Sequence, residues 1–520
     1  MEVAARIAKN TAVLYLRMAI TVFISLYSTR LILSALGVAD FGLFNLVGGL
    51  ITMLAFINAC MSEASQRFMS FAQGAGDVNR LKTIFNVSVT LHITIAIVLF
   101  LVLEIAGYIF FNYILNILPD RLYAAQLVYQ FMIISTLFTV VSVPFDAVIN
   151  ARENMTLFAV LGVVEAMLKL IIAIAITKFA GDKLIMYGAL MTLLSIFLLI
   201  VRVLYCRKYY EECDVKLTSR YDKRLLKEMA SFAGWSFLGY STSMISNYGQ
   251  GIIINIFFGT KVNAGQGIAN QVSGQLSTFA HTLMRALNPS IAKSEGSGNR
   301  SFMLKTAMMG SKLSFFLLML LFVPTLIDMP FILSLWLKNV PPYAIVFCQL
   351  LLLRNLIEQL FITLVTSISA VGNIKRFQIY SSILTFFPLL ISYILFYKGF
   401  EPQTLYLVFI VYSVLASINI LYFAKITCGL SIQQFLNNVV VRCLFTFLIV
   451  FAIAIIPYYV FDNGWLRLVF VSLTSTLTAF ISVWFVGLDT TEKSELKSLF
   501  NSKFKNIFNK INIRLTRPSI

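Results

Sequence analysis

TAVLYLRMAITVFISLYSTRLILSAL, residues 11–36, is a run of mostly apolar side chains that is long enough for one helix to cross a membrane. The run is too long for the apolar core of a secretory signal peptide, and it lacks a small-residue cleavage site. Further stretches of this kind fill most of the chain and are separated by short connectors. We therefore predict an all-α integral membrane protein with about 14 transmembrane helices, each near the ~20 residues that a span needs.

The other spans are located by working outward from residues 11–36 along the apolar runs. Their predicted bounds are residues 41–61, 83–112, 124–150, 157–178, 184–206, 229–258, 265–290, 306–328, 343–372, 377–398, 404–424, 441–461 and 465–488. On the side opposite the termini the longest connector is Met329–Pro342, which is too short to form a domain of its own.

The distribution of charge distinguishes the two sides of the membrane. The chain is 59% hydrophobic and only 12% charged, against roughly 25% charged residues in soluble domains, yet its net charge is +18. Most Lys and Arg residues lie in alternate connectors, on the side that holds both termini, which predicts that both termini are cytoplasmic. The basic surface is expected to contact anionic lipids of the inner leaflet, and no nucleic-acid partner is expected.

An internal repeat divides the chain into two halves. The segment Ala72-Gln73-Gly74-Ala75-Gly76-Asp77 is echoed by Glu295-Gly296-Ser297-Gly298-Asn299, and the same offset of 222–223 residues carries Gly37 onto Gly259. An even number of spans separates the copies, so the sequence predicts two parallel-repeat six-helix bundles plus two C-terminal helices. The predicted units are an N-terminal six-helix lobe (1–206), a cytoplasmic amphipathic basic linker (207–228), a C-terminal six-helix lobe (229–424), helices 13 and 14 (425–488) and a cytoplasmic amphipathic basic tail (489–520).

Polar side chains recur on one face of three spans. Steps of three and four residues keep side chains on one side of a helix, and two successive faces of hydroxyls and amides favour the wall of a water-filled cavity. The alternative is that these groups join packed helices by hydrogen bonds. The predicted cavity-lining residues are Thr21, Ser25 and Ser28 in the first span, Ser236, Tyr240, Ser243, Asn247 and Gln250 in the seventh, and Gln271, Gln275, Thr278 and Thr282 in the eighth, with Arg17 and Arg285 on the same faces.

Other charges inside the spans allow more than one interpretation. Arg17 either faces the cavity or extends to the membrane surface, whereas Arg30 lies on the opposite side of the helix and favours the surface or an interhelical bond. The pairs Glu165–Lys169 and Arg354–Glu358 are spaced for neutralisation within one helix, and Glu104 has no obvious partner. Asp146 and Glu358 are candidates for ion coupling. No metal site and no cofactor are expected, since the chain has two histidines and no metal-ligand spacing.

Several short motifs resemble the polysaccharide flippases, a family of the multidrug/oligosaccharidyl-lipid/polysaccharide exporter superfamily that includes O-antigen and lipid II flippases. They are Lys9-Asn10-Thr11, the passage from Arg30 through Leu36-Gly37-Val38-Ala39-Asp40-Phe41-Gly42-Leu43-Phe44, and Ser65-Gln66-Arg67-Phe68. The resemblance implies a V-shaped, two-lobed transporter in a bacterial cytoplasmic (inner) membrane. Its implied substrate is an undecaprenyl-pyrophosphate-linked oligosaccharide, flipped from the inner to the outer leaflet for surface polysaccharide biosynthesis, such as O-antigen of lipopolysaccharide.

The resemblance also implies roles for particular residues and partners. In that family, spans 1, 2, 7 and 8 border the cavity and arginines attract the pyrophosphate. Arg17, Arg67 and Arg285 are the nearest candidates here, and Arg30 matches the family's arginine ahead of the Leu-Gly turn. Other polysaccharide-assembly proteins are further partners that the family suggests.

Two other functions remain open at this point. An H⁺- or Na⁺-coupled multidrug or cation antiporter of the same superfamily often keeps an acid in span 1, where residues 11–36 have two arginines and no acid. A membrane-embedded polysaccharide polymerase or ligase usually needs a large outer loop or an acidic surface cluster, which the short outer connectors do not offer. We therefore expect a transporter for an anionic lipid rather than an enzyme.

Overall fold

The structure, a computed structural model, describes residues 2–53, 55–114, 117, 119–215, 222–337 and 339–494. These residues are almost entirely helical, with no strand among them. The α-helices are α1 Glu2–Met53, α2 Ala55–Ala75, α3 Val78–Ile109, α4 Pro119–Ala151, α5 Met155–Thr177, α6 Lys183–Tyr209, α7 Lys223–Gly296, α8 Arg300–Ile327, α9 Met329–Trp336, α10 Ala344–Gln359, α11 Ile362–Val371, α12 Lys375–Tyr397, α13 Thr404–Phe423, α14 Ile432–Phe435, α15 Arg442–Ala454, α16 Ile456–Val460 and α17 Trp465–Ser482. Wider π-helical turns extend several of them at Phe110–Ile114, Ala424–Cys428, Leu436–Val441 and Val483–Gly487.

The helices have the length and composition of membrane spans. Within the described ranges, ten continuous helices are long and apolar enough to cross a membrane, and the bent pair α10 and α11 makes an eleventh. The two arms of α7 are not among them, because their polar stripes lower the mean hydropathy. The predicted all-α, multi-pass membrane fold is confirmed.

The repeat seen in the sequence is present in the backbone. Gly37 bends α1 and Gly259 bends α7, and both adopt the same conformation, with φ of 76° and 75° and an extended ψ. A side chain would strain this left-handed φ, so glycine is required at both bends. At the same offset, Gly76 and Gly298 adopt φ of 73° and 75°. The residues after them, Asp77 and Asn299, cap α3 and α8 through their side chains.

The two halves meet where α2 crosses the end of α7. Gly74 lies against the backbone of Lys293, and Gly296 lies against the backbone of Phe71. Each residue of the first half is 222 positions before its counterpart in the second half, so the contact is reciprocal, as a two-fold relation between the halves produces. We call this side of the membrane, which also holds residues 75–78, 151–154 and 297–299, the basic face.

Charged groups strengthen the contact at the basic face. The Glu153 carboxylate is buried and lies 2.5 Å from Arg6 Nε of α1 and 3.8 Å from Lys293 Nζ of α7. Asn10 Nδ2 donates to the Glu153 backbone oxygen at 3.2 Å. One acid therefore holds elements of both halves together, and in this conformation the basic face is closed.

The linker begins as part of the first half. A 3₁₀ turn at Glu211–Cys213 packs against it, and Arg152 donates from Nε and one terminal nitrogen to the two oxygens of Glu212, both at 2.8 Å. These hydrogen bonds raise the pKa of Arg152 above its ordinary value. α7 begins at Lys223, so the end of the predicted 207–228 linker is helical, while residues 216–221 lie outside the described ranges.

The start of the predicted 489–520 tail is fixed by a buried ion pair. Lys312 Nζ on α8 lies 2.6 Å from the Glu492 carboxylate, and both side chains are almost fully buried. Asp489 and Glu492 also cap the turn between them, since each carboxylate accepts the backbone N–H of the other residue. The amphipathic helix predicted for the remainder falls on residues 495–520, outside the described part of the chain.

Breaking this ion pair should destabilise the protein measurably. Glu492→Met would leave the Lys312 ammonium buried without a partner, at a cost of about 3–5 kcal/mol in the free energy of unfolding. Lys312→Met/Glu492→Met removes both charges and should recover most of that loss. The unfolding midpoint in detergent, with Lys425→Met at an exposed lysine as control, measures both effects. Equal unfolding midpoints for Glu492→Met and for the double variant would contradict a stabilising ion pair between Lys312 and Glu492.

Candidate functional site

A central cavity of about 700 Å³ lies between the two halves. Its wall comes from α1, α2, both arms of α7, and α11, the elements that meet across the two-fold relation. The lining residues are Leu14, Arg17, Met18, Thr21, Val22, Gln66, Tyr240, Thr278, His281, Thr282, Met284, Arg285, Asn288, Ile362 and Thr366. The helical stripes predict Thr21, Tyr240, Thr278, Thr282 and Arg285 at such a cavity, and they leave Arg17 between the cavity and the membrane surface.

Two arginines dominate the electrostatics of the cavity. The Arg17 guanidinium carbon lies 4.4 Å from the centroid of the Phe158 ring, and that of Arg285 lies 4.3 Å from the same centroid. Phe158, on α5, is only 8% exposed, so one buried ring orients a cation from each half. Within the described residues neither guanidinium has an ion pair or hydrogen bond, and the Arg17 Nε is buried without a partner.

The acids near this arginine pair are already neutralised. Asp146, in electrostatic reach of both arginines, accepts from Arg202 Nε at 2.9 Å. Glu165, in electrostatic reach of Arg17, accepts from Lys169 Nζ at 2.7 Å, as the spacing predicted. The cavity therefore keeps two positive charges that no neighbouring acid cancels.

A side pocket of about 300 Å³ adjoins the cavity, and Tyr240 belongs to the walls of both. Its wall is rich in hydroxyl and amide groups, and its residues include Ser236, Ser243, Gln378, Ser381, Thr385, Tyr412 and Asn419. Glu63, from α2, supplies a carboxylate that lies near the hydroxyl groups of Tyr240 and Ser369. In the described residues Glu63 has no ion pair.

The remaining predicted cavity residues lie elsewhere. Ser25, Asn247, Gln271 and Gln275 are exposed and continue the polar faces of α1 and α7 toward the membrane face opposite the basic face. Ser28 and Gln250 are buried and donate to Ile24 and Ser246 of their own helices. The polar stripes thus contribute to the cavity, the side pocket, the exposed helix faces and local helix bonds.

Two arginine candidates are outside the cavity. Arg67 donates to the Ala370 backbone oxygen from Nε at 3.2 Å and from a terminal nitrogen at 2.9 Å, and it lies over the rings of Phe68 and Phe232. Arg67 therefore joins α2 to the end of α11. Arg30 is exposed, in agreement with its predicted position on the opposite side of the helix from Arg17.

Both candidates for ion coupling are engaged by arginine. Asp146 is paired with Arg202 as described above. Glu358 accepts from Arg354 Nε at 2.8 Å, within one helix as predicted, and from the Ser413 hydroxyl at 2.9 Å. Their coupling role stays a prediction, and Glu63 is the carboxylate that the structure adds to it.

Gly162 on α5 offers a test of the Arg17 position. A methyl group there would overlap the Arg17 guanidinium, so Gly162→Ala should displace that group from the Phe158 ring. We expect binding of an anionic ligand to weaken about 10-fold, equivalent to roughly 1.4 kcal/mol. The control is Gly234→Ala, because a methyl group at Gly234 meets nothing within 4 Å. Equal affinities for both variants would show that this Arg17 position does not matter.

Neither a protein-family model nor a curated protein sequence matches this chain. Solved structures do match. An outward-facing multidrug resistance MATE family transporter of the MOP superfamily aligns with 13% identity over 82% of this chain and 95% of its own, with a TM-score of 0.69. A MOP superfamily transporter from Pyrococcus furiosus, described as having a binding pocket of reverse polarity, gives 14% identity, 82% and 95% coverage, and a TM-score of 0.65.

The MATE transporter ClbM, solved in complex with Rb⁺, aligns with 15% identity over 84% of this chain and 98% of its own, with a TM-score of 0.66. At such low identity the likeness establishes the fold only. The substrate has to be inferred from the chemistry of the cavity. The chain therefore has the MATE transporter fold, with an arginine pair at its centre.

Proposed function

We propose that this chain is a transporter that flips an undecaprenyl-pyrophosphate-linked oligosaccharide across a bacterial cytoplasmic membrane, from the inner to the outer leaflet. The observation that carries the proposal is the pair Arg17 and Arg285, one from each half, held over Phe158 without an acidic partner in the described residues. Burying an uncompensated cation is costly, so two of them at one site favour a ligand that supplies negative charge.

Guanidinium groups suit a pyrophosphate in geometry as well as charge. Each offers a planar fork of N–H donors that matches phosphate oxygens, and such charge-assisted hydrogen bonds are stronger than neutral ones. The pyrophosphate has oxygens on two phosphorus atoms, enough for Arg17 and Arg285 to bind it from both sides. The neighbouring pairs Asp146–Arg202 and Glu165–Lys169 are neutral overall and leave this attraction intact.

The polar walls of the cavity and the side pocket are suited to bind the oligosaccharide. Sugars present many hydroxyl groups, which hydroxyl and amide side chains can both donate to and accept from. Thr278 and Thr282 line the cavity, while Ser243 and Asn419 line the side pocket that begins at Tyr240. A head group bound at the arginines would thus have polar surface beside it for its sugars.

Movement between leaflets would come from rocking of the two repeats. Lobes 1–206 and 229–424 would separate at the basic face and close at the opposite face, so that the arginine pair is reached from each leaflet in turn. Moving two uncompensated negative charges outward through an inside-negative potential is downhill by roughly 4–5 kcal/mol per 100 mV. Arginines that travel with the phosphate would reduce that gain.

A cation-coupled antiporter is the second candidate, and Glu63 is the observation that favours it. A carboxylate without an ion pair, surrounded by hydroxyl and amide oxygens, is a suitable environment for a proton or Na⁺. One of the structural neighbours was solved with Rb⁺. Such coupling would also serve a flippase, whereas a cationic drug would meet the two uncancelled arginines in the central cavity.

Reconstituted protein distinguishes the two candidates. Proteoliposomes carrying a fluorescent polyprenyl-pyrophosphate-linked oligosaccharide should show protein-dependent exchange between leaflets, measured by a membrane-impermeant quencher. Exclusion of a cationic dye from the same vesicles, driven by an imposed H⁺ or Na⁺ gradient, is expected to equal that of empty vesicles. Gradient-driven dye export without lipid exchange would overturn the flippase proposal in favour of the antiporter.

A further inference from the structure

A third pocket, of about 380 Å³, lies between α3 and α4, away from the central cavity. Its wall consists of Glu104, Gly107, Tyr108, Phe111, Asn112, Tyr123, Gln126, Leu127, Tyr129 and Gln130. These residues are near the ends of α3 and α4 that lie opposite the basic face. Neither the proposed transport step nor the internal repeat gives these residues a role.

The pocket is located at the membrane interface. Tyr108 and Tyr123 are 64% and 68% exposed, and exposed tyrosines of this kind mark the boundary between the hydrocarbon and the polar head groups. Glu104 is one helical turn from Tyr108, or about 6 Å by helical rise, on the hydrocarbon side of that boundary. A lipid head group can therefore reach the carboxylate.

The wall has a defined shape. Gly107 leaves the space that the Tyr129 ring fills, since a methyl group there would overlap the ring. The Tyr129 hydroxyl donates to the Leu103 backbone oxygen at 2.6 Å, and its ring meets Phe111 edge to face. Tyr129 is therefore fixed, and the aromatic side of the pocket is preformed.

Glu104 is the charged residue in the wall of the pocket, and no described residue supplies a cation to its carboxylate. Its carboxylate accepts from Gln130 Nε2 at 3.2 Å, and it has no ion pair in the described residues. The nearest arginine along α4, Arg121, is engaged by Asp40 and Asp182. A carboxylate at the hydrocarbon boundary beside several aromatic rings attracts a positively charged ligand.

We propose that this pocket binds the primary ammonium of a phospholipid head group, such as ethanolamine, in the leaflet opposite the basic face. Aromatic faces attract any ammonium, but only one with N–H donors can also hydrogen-bond to the Glu104 carboxylate and the Gln130 amide oxygen. The site is independent of the transport proposal.

Native mass spectrometry of the purified protein tests the site with phosphatidylethanolamine, phosphatidylglycerol and free ethanolamine as separate probes. We expect tighter retention of phosphatidylethanolamine than of phosphatidylglycerol, and no retention of free ethanolamine. Glu104→Gln should weaken phosphatidylethanolamine retention about 10-fold, the loss of one charge-assisted hydrogen bond. Tyr108→Leu, which removes one ring from the wall, should weaken it by a smaller factor.

Asp120→Asn is the matched control, because this exposed acid lies at the same end of α4 but outside the pocket. It should retain the lipid as the wild type does. Equal retention of both phospholipids by the wild type, or unchanged phosphatidylethanolamine retention in Glu104→Gln, would overturn the proposal. Displacement of the lipid by millimolar free ethanolamine would show a site for small amines and would overturn the lipid assignment.

Discussion

Arg17→Gln/Arg285→Gln is expected to abolish leaflet exchange of a pyrophosphate-linked oligosaccharide while the protein remains folded. Each arginine supplies hydrogen bonds to a charged group, worth about 1.5–3 kcal/mol, so loss of both should weaken binding roughly 10²- to 10⁴-fold. Neither side chain has an ion pair in the described residues, so the substitutions leave no acid without its partner. The quencher assay in proteoliposomes measures the exchange rate, and size-exclusion chromatography checks the fold.

Arg30→Gln is the matched control for this double variant. It removes one positive charge from α1, the helix that carries Arg17, at an exposed position outside the central cavity. Exchange should remain close to the wild-type rate. Charge reversal, Arg17→Glu/Arg285→Glu, should be at least as inactive as the glutamine variant. If either double variant exchanged the lipid at the wild-type rate, the arginine pair would have no role in transport.

Closure of the basic face should depend on the absence of a side chain at Gly296. A methyl group there would overlap the Phe71 backbone, and backbone cannot move aside as a flexible side chain can. Overpacking of this kind costs about 1–3 kcal/mol, which in Gly296→Ala would shift the equilibrium away from the closed basic face roughly 5- to 150-fold. Leaflet exchange should slow accordingly, because each transport cycle needs that closure.

Labelling of a cysteine at Ser294, which is buried near the contact, reports closure directly. In a background without the six native cysteines, Gly296→Ala should accelerate reaction of Ser294→Cys with a membrane-impermeant maleimide added at the basic face. Gly267→Ala is the control, since a methyl group there meets nothing within 4 Å. Equal labelling rates in the two variants would contradict a closure that depends on this contact.

The helices and the repeat were accessible from sequence because they depend on local patterns. Apolar runs set the spans, and glycines at a fixed offset marked the bends at Gly37 and Gly259. The break between α10 and α11, bent by 41°, was not predicted. No glycine or proline lies at residues 360–361, so the local sequence gives no signal for this break.

The site was predicted only as far as single helices determine it. Helical spacing put Arg285 on a polar face and left Arg17 between the cavity and the membrane surface, and both residues line the cavity in the structure. Phe158 and Glu63 were missed, because one lies on an apolar helix and the other lies beyond the predicted end of the second span at residue 61. Arg67 is the opposite case. Its family motif suggested a role at the pyrophosphate, whereas its guanidinium donates to the Ala370 backbone oxygen.

The roles of Phe158 and Glu63 depend on tertiary contacts. The Phe158 ring becomes a platform because α1 and α7 each direct a guanidinium to it from different halves. Glu63 becomes part of a pocket because it lies near Tyr240 of α7 across the interface between the halves. Periodicity within one helix carries no information about such pairings.

The most direct test of the arginine pair is an electron cryomicroscopy map of the protein with a polyprenyl-pyrophosphate-linked oligosaccharide bound. We predict phosphate density in contact with both Arg17 and Arg285 beside the Phe158 ring, and sugar density toward Tyr240. Phosphate density elsewhere, or a map in which both arginines pair with protein acids while the lipid is bound, would contradict the proposed role of the cavity.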